Sequence, residues 1–260
     1  ALEMAKGINP DIIFGIDPDC DRIGVVVKGE KGKYKVLSGN QTGVLLSNYI
    51  LKSLSETDQL PRNGVIIKTI VTTDMVEAIS KKYNVQVLDV LTGFKYIGEK
   101  IKEFEKTGEK DFIFGFEESF GYLAGNFVRD KDAVIAAMLI CEMTLYYKNK
   151  GMSLYDALIG IYKEHGYYKE SLVSIELKGK DGAKKISNIL ESLRHSMKES
   201  VNNNKIVKKM DYKSSIEMDL TSNTEKLIEL PKSNVLKFIL EDGCWFVVRP
   251  SGTEPKMKIY

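Results

Sequence analysis

The chain has 260 residues, enough for two domains that each bury a core. Its 38 basic and 36 acidic residues nearly cancel to +2, a balance that implies neither a nucleic-acid footprint nor a charged disordered tail. Cys20, Cys141 and Cys244 are odd in number and widely spaced, which favours free thiols in a reducing compartment. The longest apolar stretch, Ala133 to Cys141, is too short for a bilayer, so a cytoplasmic protein without membrane partners is expected.

The first predicted elements are two β-rich apolar runs, Ile12 to Ile16 and Ile23 to Val27, separated by Asp17-Pro18-Asp19-Cys20-Asp21-Arg22. Three carboxylates at alternate positions raise one another's pKa unless something compensates them, and a divalent cation is the simplest compensation. Oxygen-only donors with no nearby histidine point to Mg²⁺ or Ca²⁺ rather than Zn²⁺. Pro18 pre-forms the loop, and Arg22 can orient a carboxylate or meet an anion on the metal. An EF-hand is excluded, because Arg22 and Lys28 stand where it needs Gly and Glu. An aspartyl-phosphate hydrolase with Asp17 as nucleophile, and a solvated acidic turn, remain open on these residues alone.

From residue 39 helical and strand patterns alternate. Residues 43–54 are apolar at helical spacing, with Asn40 or Thr42 as cap, and residues 65–71 read as a strand. Thr73 caps a helix that runs to Lys82. A strand over 85–90, a helix over 94–105 and a strand over 111–116 follow, which suggests a layered, largely parallel α/β domain with active loops at strand carboxyl ends. The segment from Asp11 to Asp17 echoes that from Asp111 to Glu117, each a strand ending in a carboxylate. Asp132 caps a helix over 133–148, apolar nearly all round and therefore expected to be buried. A further helix ends at Gly166.

Beyond residue 166 the pattern changes. A strand at 172–177, a helix at 181–198, turns at 202–204 and 221–224, and strands near 206–210, 216–220, 235–240 and 244–249 give an α+β signature. Lys205, Lys208, Lys209 and Lys213 read as a solvated face.

Two later stretches carry chemistry. Glu117-Glu118-Ser119 sets a carboxylate and hydroxyls at a strand end, where they can accept and donate to neighbouring sugar hydroxyls. In Arg249-Pro250-Ser251-Gly252-Thr253, the arginine offers a planar fork, Ser251 and Thr253 offer hydroxyls, and Gly252 lets amides approach a phosphate. Lys258 on the next strand can add charge; an ordinary hairpin turn is the plain alternative.

The Asp17–Arg22 loop resembles the D-x-D-x-D-R metal loop of the α-D-phosphohexomutases. Gly115-Phe116-Glu117-Glu118-Ser119-Phe120-Gly121 resembles their sugar-specificity loop, and Arg249 to Pro255 their phosphate-binding loop. Thr92-Gly93-Phe94-Lys95 is similar to a second sugar-facing loop, and Arg129-Asp130-Lys131-Asp132 to one whose lysine approaches the reacting hydroxyl. The bacterial phosphoglucomutases, some of which act on mannose phosphates, are the nearest group.

The resemblance implies an α/β fold in which a layered mixed or largely parallel sheet domain is followed by a smaller α+β C-terminal domain. Residues 1–37 would be the tail of a preceding α/β domain bearing the metal loop, 38–166 a sugar-binding domain, and 167–260 a truncated phosphate-binding domain. Asp17, Asp19 and Asp21 would bind Mg²⁺, with Arg22 and Lys131 in catalytic roles. Thr92, Gly93, Lys95, Glu117, Ser119, Arg249, Ser251, Gly252, Thr253 and Lys258 would bind a sugar phosphate. Glucose 1-phosphate and glucose 6-phosphate would interconvert through a phosphoserine, with glucose 1,6-bisphosphate as intermediate and activator. The family's serine lies in a T-x-S-H-N-P-like stretch absent here, since His165 and His195 precede Gly166 and Ser196. The chain is therefore expected to be part of a longer enzyme and inactive alone. An aspartyl-phosphate-type phosphohydrolase and a non-catalytic sugar-phosphate binding module are the alternatives. The preferred sugar and the oligomeric state stay open.

Overall fold

The computed structural model describes residues 2–177, 179–196, 198–251 and 254–260. They fall into two compact units, Ala1–Tyr168 and Lys169–Tyr260.

In the first unit a short helix, α1 (Leu2–Ile8), leads into an antiparallel hairpin of β1 (Ile12–Ile16) and β2 (Ile23–Lys28), with Ile16 opposite Ile23. A third strand, β3 (Tyr34–Val36), pairs antiparallel with the other edge of β2. Along β2 the alternate residues Ile23, Val25 and Val27 are buried, the period of a sheet with one covered face. Helix α2 (Gly39–Glu56) starts at Ser38, which accepts from the Gln41 amide while the Gln41 side chain reaches back to the Ser38 amide. This reciprocal box outcompetes Asn40 and Thr42, the caps expected from sequence, because it satisfies two otherwise orphaned N–H groups.

The second sheet of this unit has the order β5-β4-β6-β7. Strands β4 (Gly64–Thr69), β5 (Gln86–Val90) and β6 (Asp111–Glu117) are parallel, and β7 (Gly121–Ala124) returns antiparallel to β6. Helices α3 (Met75–Lys82), α4 (Phe94–Thr107), α5 (Ala133–Lys148) and α6 (Leu154–His165) complete the layers. Ile66, Phe114 and Phe116 join the core formed with α2, α3, α5 and α6, whereas Val65 and Ile67 pack with Phe94, Ile97, Ile101 and Phe104 of α4. The sheet is thus covered on both faces, as a parallel sheet requires. Its parallel strands bring Thr92, Gly93 and Glu117 to the carboxyl end of the sheet.

The strands that lead to Asp17 and Glu117 lie in different sheets, β1 antiparallel to its neighbour and β6 parallel to β4. One expectation needs correction here. Helix α5 is not buried all round: Ala133, Ala136, Ile140 and Met143 face the core, while Val134, Met138, Cys141 and Leu145 form an exposed stripe. An all-apolar composition reports hydrophobicity, not how many neighbours the fold supplies.

In the second unit β8 (Val173–Glu176) and α7 (Gly179–His195) precede β9 (Ser200–Val201), β10 (Asn204–Asp211), β11 (Ile216–Asp219), β12 (Thr224–Leu227), β13 (Leu236–Leu240), β14 (Trp245–Pro250) and β15 (Lys256–Ile259). The sheet order is β12-β11-β10-β13-β14-β15-β8, with β9 on β10, and all pairings are antiparallel. Ile186 and Leu190 of α7 pack on Ile206, Leu236, Phe238, Val248 and Met257. Arg194, near the end of α7, pairs with Asp211 at 3.2 Å and Glu191 at 2.8 Å. Lys209 is not part of a solvated face: half-buried, it donates to the Arg194 carbonyl at the end of α7. Burial pulls its pKa down.

Candidate active site

The Asp17–Arg22 loop is the closed end of the β1–β2 hairpin. The Asp17 amide donates to the Arg22 carbonyl at 3.3 Å, and the Cys20 amide to the Asp17 carbonyl at 3.0 Å. Asp17 Oδ1 accepts the amides of Asp21 (3.2 Å) and Arg22 (3.1 Å), so this side chain shapes its own loop. Cys20 takes a left-handed φ of 55°, an uncommon conformation for a residue with a β-carbon. Asp17 and Asp21 are half-buried, and Asp19 is exposed.

Three other segments converge on this loop. The Ile23 amide donates to the Phe120 carbonyl at 3.2 Å, and an isolated β-bridge joins Arg22 to Gly121. The Ala133 amide donates to the Cys20 carbonyl at 3.0 Å, and the Asp132 amide to Tyr122 at 2.8 Å. Through these bonds the β1–β2 loop, the β6–β7 turn and the segment before α5 hold one another. Gly39, the first residue of α2, completes the set: a β-carbon there would lie 2.0 Å from the Glu118 carbonyl oxygen. The buried Tyr122 hydroxyl donates to the Gly39 carbonyl at 3.0 Å. Burial drives its pKa up, so it stays a neutral donor.

Lys131 Nζ lies 2.6 Å from Asp21 Oδ2 and 3.5 Å from Asp130 Oδ1. The hydrogen bond from Lys131 holds the Asp21 carboxyl below the usual carboxylate range. Burial opposes the charge on Lys131, but its bond to Asp21 and the charges of Asp130 and Asp21 outweigh it and raise the pKa. Arg22 is exposed, its Nε 3.8 Å from Asp21 Oδ1. Arg129 pairs with Glu105 of α4 and anchors the same segment.

Glu117, the last residue of β6, is 6% exposed, and its Oε1 accepts the Gly93 amide at 2.8 Å. Gly93 has φ 121°, a region that a side chain would make costly, and it opens α4. The two candidate sugar-facing loops therefore meet through one buried carboxylate. Ser119 is half-buried in the adjoining turn, Thr92 likewise precedes Gly93, and the Lys95 ammonium sits 4.7 Å above the Tyr96 ring.

A metal site can be judged on the donors. Among the described residues no three His, Cys, Asp or Glu side chains gather closely enough to hold an ion, so the aspartate trio is not assembled around a point. The donor chemistry nonetheless fits a hard cation: all three offer oxygen, and Asp21 Oδ1 is buried without a hydrogen-bond partner.

In the second unit Arg249 on β14 lies directly opposite Lys258 on β15, which puts both side chains on one face of the sheet. The Ser251 amide donates to the Lys256 carbonyl at 2.7 Å, and Ser251 Oγ accepts the Glu254 amide at 3.3 Å. Gly252 and Thr253, also expected to bind phosphate, lie outside the described residues. Sequence reasoning overlooked Gly121, Gly39 and Tyr122 as site-building residues. The glycine closing the Glu-Glu-Ser-Phe-Gly run was the one available signal, because small residues mark close backbone approach.

Comparison with known proteins agrees with this fold. Residues 38–164 match the phosphoglucomutase/phosphomannomutase alpha/beta/alpha domain III, and residues 193–260 match the C-terminal domain of the same family. The chain belongs to the phosphoglucomutase/phosphomannomutase family. A phosphoglucomutase of Staphylococcus haemolyticus is 35% identical over all 260 residues, which span 46% of that relative's length. The crystal structure of parafusin, a phosphoglucomutase from Paramecium, in its open form covers 96% of this chain and 40% of its own, with a TM-score of 0.64 at 20% identity. The N-acetylphosphoglucosamine mutase of Aspergillus fumigatus in complex with GlcNAc-6P and magnesium covers 96% of this chain and 44% of its own, with a TM-score of 0.51 at 16% identity. At these identities the two structures establish the fold alone.

Proposed function

We propose that this chain supplies the sugar-, metal- and phosphate-recognising parts of a Mg²⁺-dependent phosphohexomutase that interconverts glucose 1-phosphate and glucose 6-phosphate. The observation that carries this reading is the backbone-bonded convergence of the Asp17–Arg22 loop, the Glu117–Gly121 turn and the Lys131 segment in one unit. The curated Staphylococcus relatives that match the chain are phosphoglucomutases, and the magnesium and GlcNAc-6P of the Aspergillus complex support a metal and a sugar phosphate as ligands.

Glu117, fixed by the Gly93 amide, and Ser119 would read adjacent sugar hydroxyls; a buried carboxylate with one oxygen already oriented penalises a sugar lacking its partner hydroxyl. Thr92, Gly93 and Lys95 would border the same ring. Arg249, Ser251, Gly252, Thr253 and Lys258 would take the non-reacting phosphate, the arginine as a planar fork and the lysine as a point charge on the same sheet face. Asp17, Asp19 and Asp21 would hold Mg²⁺, which when bound offsets negative charge on a phosphoryl group. Lys131 and Arg22 would face the reacting hydroxyl and the phosphoryl oxygens. A bisphosphorylated sugar must present either phosphate to one recognition site, so glucose 1,6-bisphosphate is the intermediate and activator in this scheme. The phosphoserine that donates the phosphoryl group is not supplied by any motif of this chain.

The test is turnover by a polypeptide of the relatives' full length on a panel of glucose, mannose and pentose 1-phosphates, with and without Mg²⁺. Mg²⁺-dependent formation of glucose 6-phosphate is expected. Inorganic phosphate as the only product, with label trapped on Asp17, would replace the mutase with a phosphohydrolase.

A further inference from the structure

The Lys131 ammonium already has an occupation. It lies 2.6 Å from Asp21 Oδ2, and its side chain is only 12% exposed. The other oxygen of the same carboxylate, Oδ1, is buried without a hydrogen-bond partner, and Arg22 approaches it no closer than 3.8 Å. One carboxylate thus has a cation on one oxygen and an unfilled acceptor on the other.

We infer that Lys131 is the resident counter-ion of Asp21, that Lys131 and a divalent cation exclude one another at this carboxylate, and that metal entry releases Lys131 toward Asp130. The inference rests on the reading of Asp17, Asp19 and Asp21 as metal ligands. Its physical basis is repulsion between an ammonium and a dication that share one small carboxylate, in surroundings partly closed to water.

Two structural features make the exchange workable. Lys131 has a second acceptor in Asp130 Oδ1 at 3.5 Å, whose side chain is 71% exposed, so the ammonium can leave Asp21 without being stranded. The lysine stem crosses Gly121, where a β-carbon would stand 2.6 Å from Lys131 Cδ. Gly121 therefore opens the path that the stem takes to Asp21. Backbone bonds from Asp132 to Tyr122 and from Ala133 to Cys20 fix the segment, so the side chain moves and the loop need not. Binding linkage then requires that whatever factor the metal imposes on the Lys131 contact, Lys131 imposes on the metal.

The experiment uses the 260-residue chain and reads binding and labelling, not turnover. Mg²⁺ is titrated calorimetrically into wild type, Lys131→Met, Gly121→Ala and Asp19→Asn, and acylation of Lys131 is followed by mass spectrometry across the same Mg²⁺ range. Lys131→Met is expected to bind Mg²⁺ about tenfold more tightly than wild type, since one repelling unit charge is removed at close range. Gly121→Ala, which pushes the stem aside, should shift affinity in the same direction. Lys131 labelling in wild type should accelerate as Mg²⁺ saturates, and in Asp21→Asn it should be fast without metal. Equal or weaker affinity in Lys131→Met, or labelling indifferent to bound Mg²⁺, overturns the counter-ion role while leaving the metal site standing, provided Asp19→Asn weakens Mg²⁺ binding. If neither wild type nor Lys131→Met binds Mg²⁺, the metal reading falls and takes this inference with it.

Discussion

Asp219 shows how much one side chain can organise when its neighbours are close in sequence. It accepts the Thr221 hydroxyl at 2.6 Å and the amides of Thr221 and Ser222 at 2.9 and 3.1 Å, closing the turn between β11 and β12. These bonds, the Thr221 hydroxyl foremost, lower its pKa from 3.8 to about 2. A depressed folded-state pKa gives stability that is full above the unfolded value and is lost as pH falls toward the folded one. Urea denaturation of wild type should therefore lose stability between pH 3.8 and about 2 with a steeper slope than Asp219→Asn; equal slopes would show that the turn bonds are not held in solution. Arg249 is the corresponding test for function. Arg249→Lys keeps the charge opposite Lys258 but loses the planar fork, and it should weaken sugar-phosphate binding by about 1.5–3 kcal/mol, read as a raised KM for glucose 1-phosphate in a polypeptide of the relatives' full length. Wild-type kinetics in that variant would reduce the loop to a turn.

Among the elements, β4 depends on one buried cation. Lys68 is fully buried and ion-pairs with Asp74 and Asp89 at 2.7 Å each and Glu77 at 3.3 Å, tying β4 to β5 and to the start of α3. Burial works against its charge, yet the charges of Asp89 and Asp74 prevail and the pKa is raised. The stability it contributes is therefore full below the usual lysine value of 10.5 and fades only as pH rises beyond it through the folded-state pKa. Lys68→Met should cost roughly 2–4 kcal/mol in urea denaturation near neutral pH, less than a sealed buried pair because water still reaches the carboxylates. A cost below the error of the measurement would mean that β5 and α3 are held without Lys68.

Helix α2 meets the site through Gly39 in a different manner, by contact rather than charge. An alanine there would set its β-carbon 2.0 Å from the Glu118 carbonyl and 2.9 Å from the Phe120 amide nitrogen, both backbone atoms with little freedom to yield. Gly39→Ala should lose about 1–3 kcal/mol of stability and disturb the Glu117 turn more than distant parts of the sheet. Amide exchange confined to fraying of α2, with the Glu118–Phe120 amides unchanged, would sink that coupling.

At the scale of the whole molecule, the chain spans 46% of the length of its Staphylococcus haemolyticus relative. Asp17 has one carboxylate oxygen committed to the amides of Asp21 and Arg22, which makes it a scaffold for its loop and a poor candidate nucleophile. Residues 1–260 alone are therefore expected to form no glucose 6-phosphate from glucose 1-phosphate in a coupled assay, even with Mg²⁺ and glucose 1,6-bisphosphate. A polypeptide of the relatives' full length should do so under the same conditions. Turnover by the short chain would place the phosphoryl acceptor within these residues, with Asp17 the first to be replaced.

The sequence by itself determined what local chemistry can determine. The alternation along Ile23 to Val27, the amphipathic run of α4 ending at the left-handed Gly108, and the Asp132 cap of α5 are properties of neighbours in the chain, and each formed as its pattern requires. The α/β class follows from such patterns. Tertiary structure alone decided which residues met. Strand β7 has four residues and exists because β6 and the bridge to Arg22 pair with it. Strand β12 lies partly in a stretch that reads as a turn and is held by β11. The exposed stripe of α5, the contact of Lys131 with Asp21 and the register that sets Arg249 opposite Lys258 likewise depend on partners far along the chain. Periodicity specifies which face of an element is apolar; the partner that covers it, and the side chains brought within bonding distance, are set by packing between distant segments.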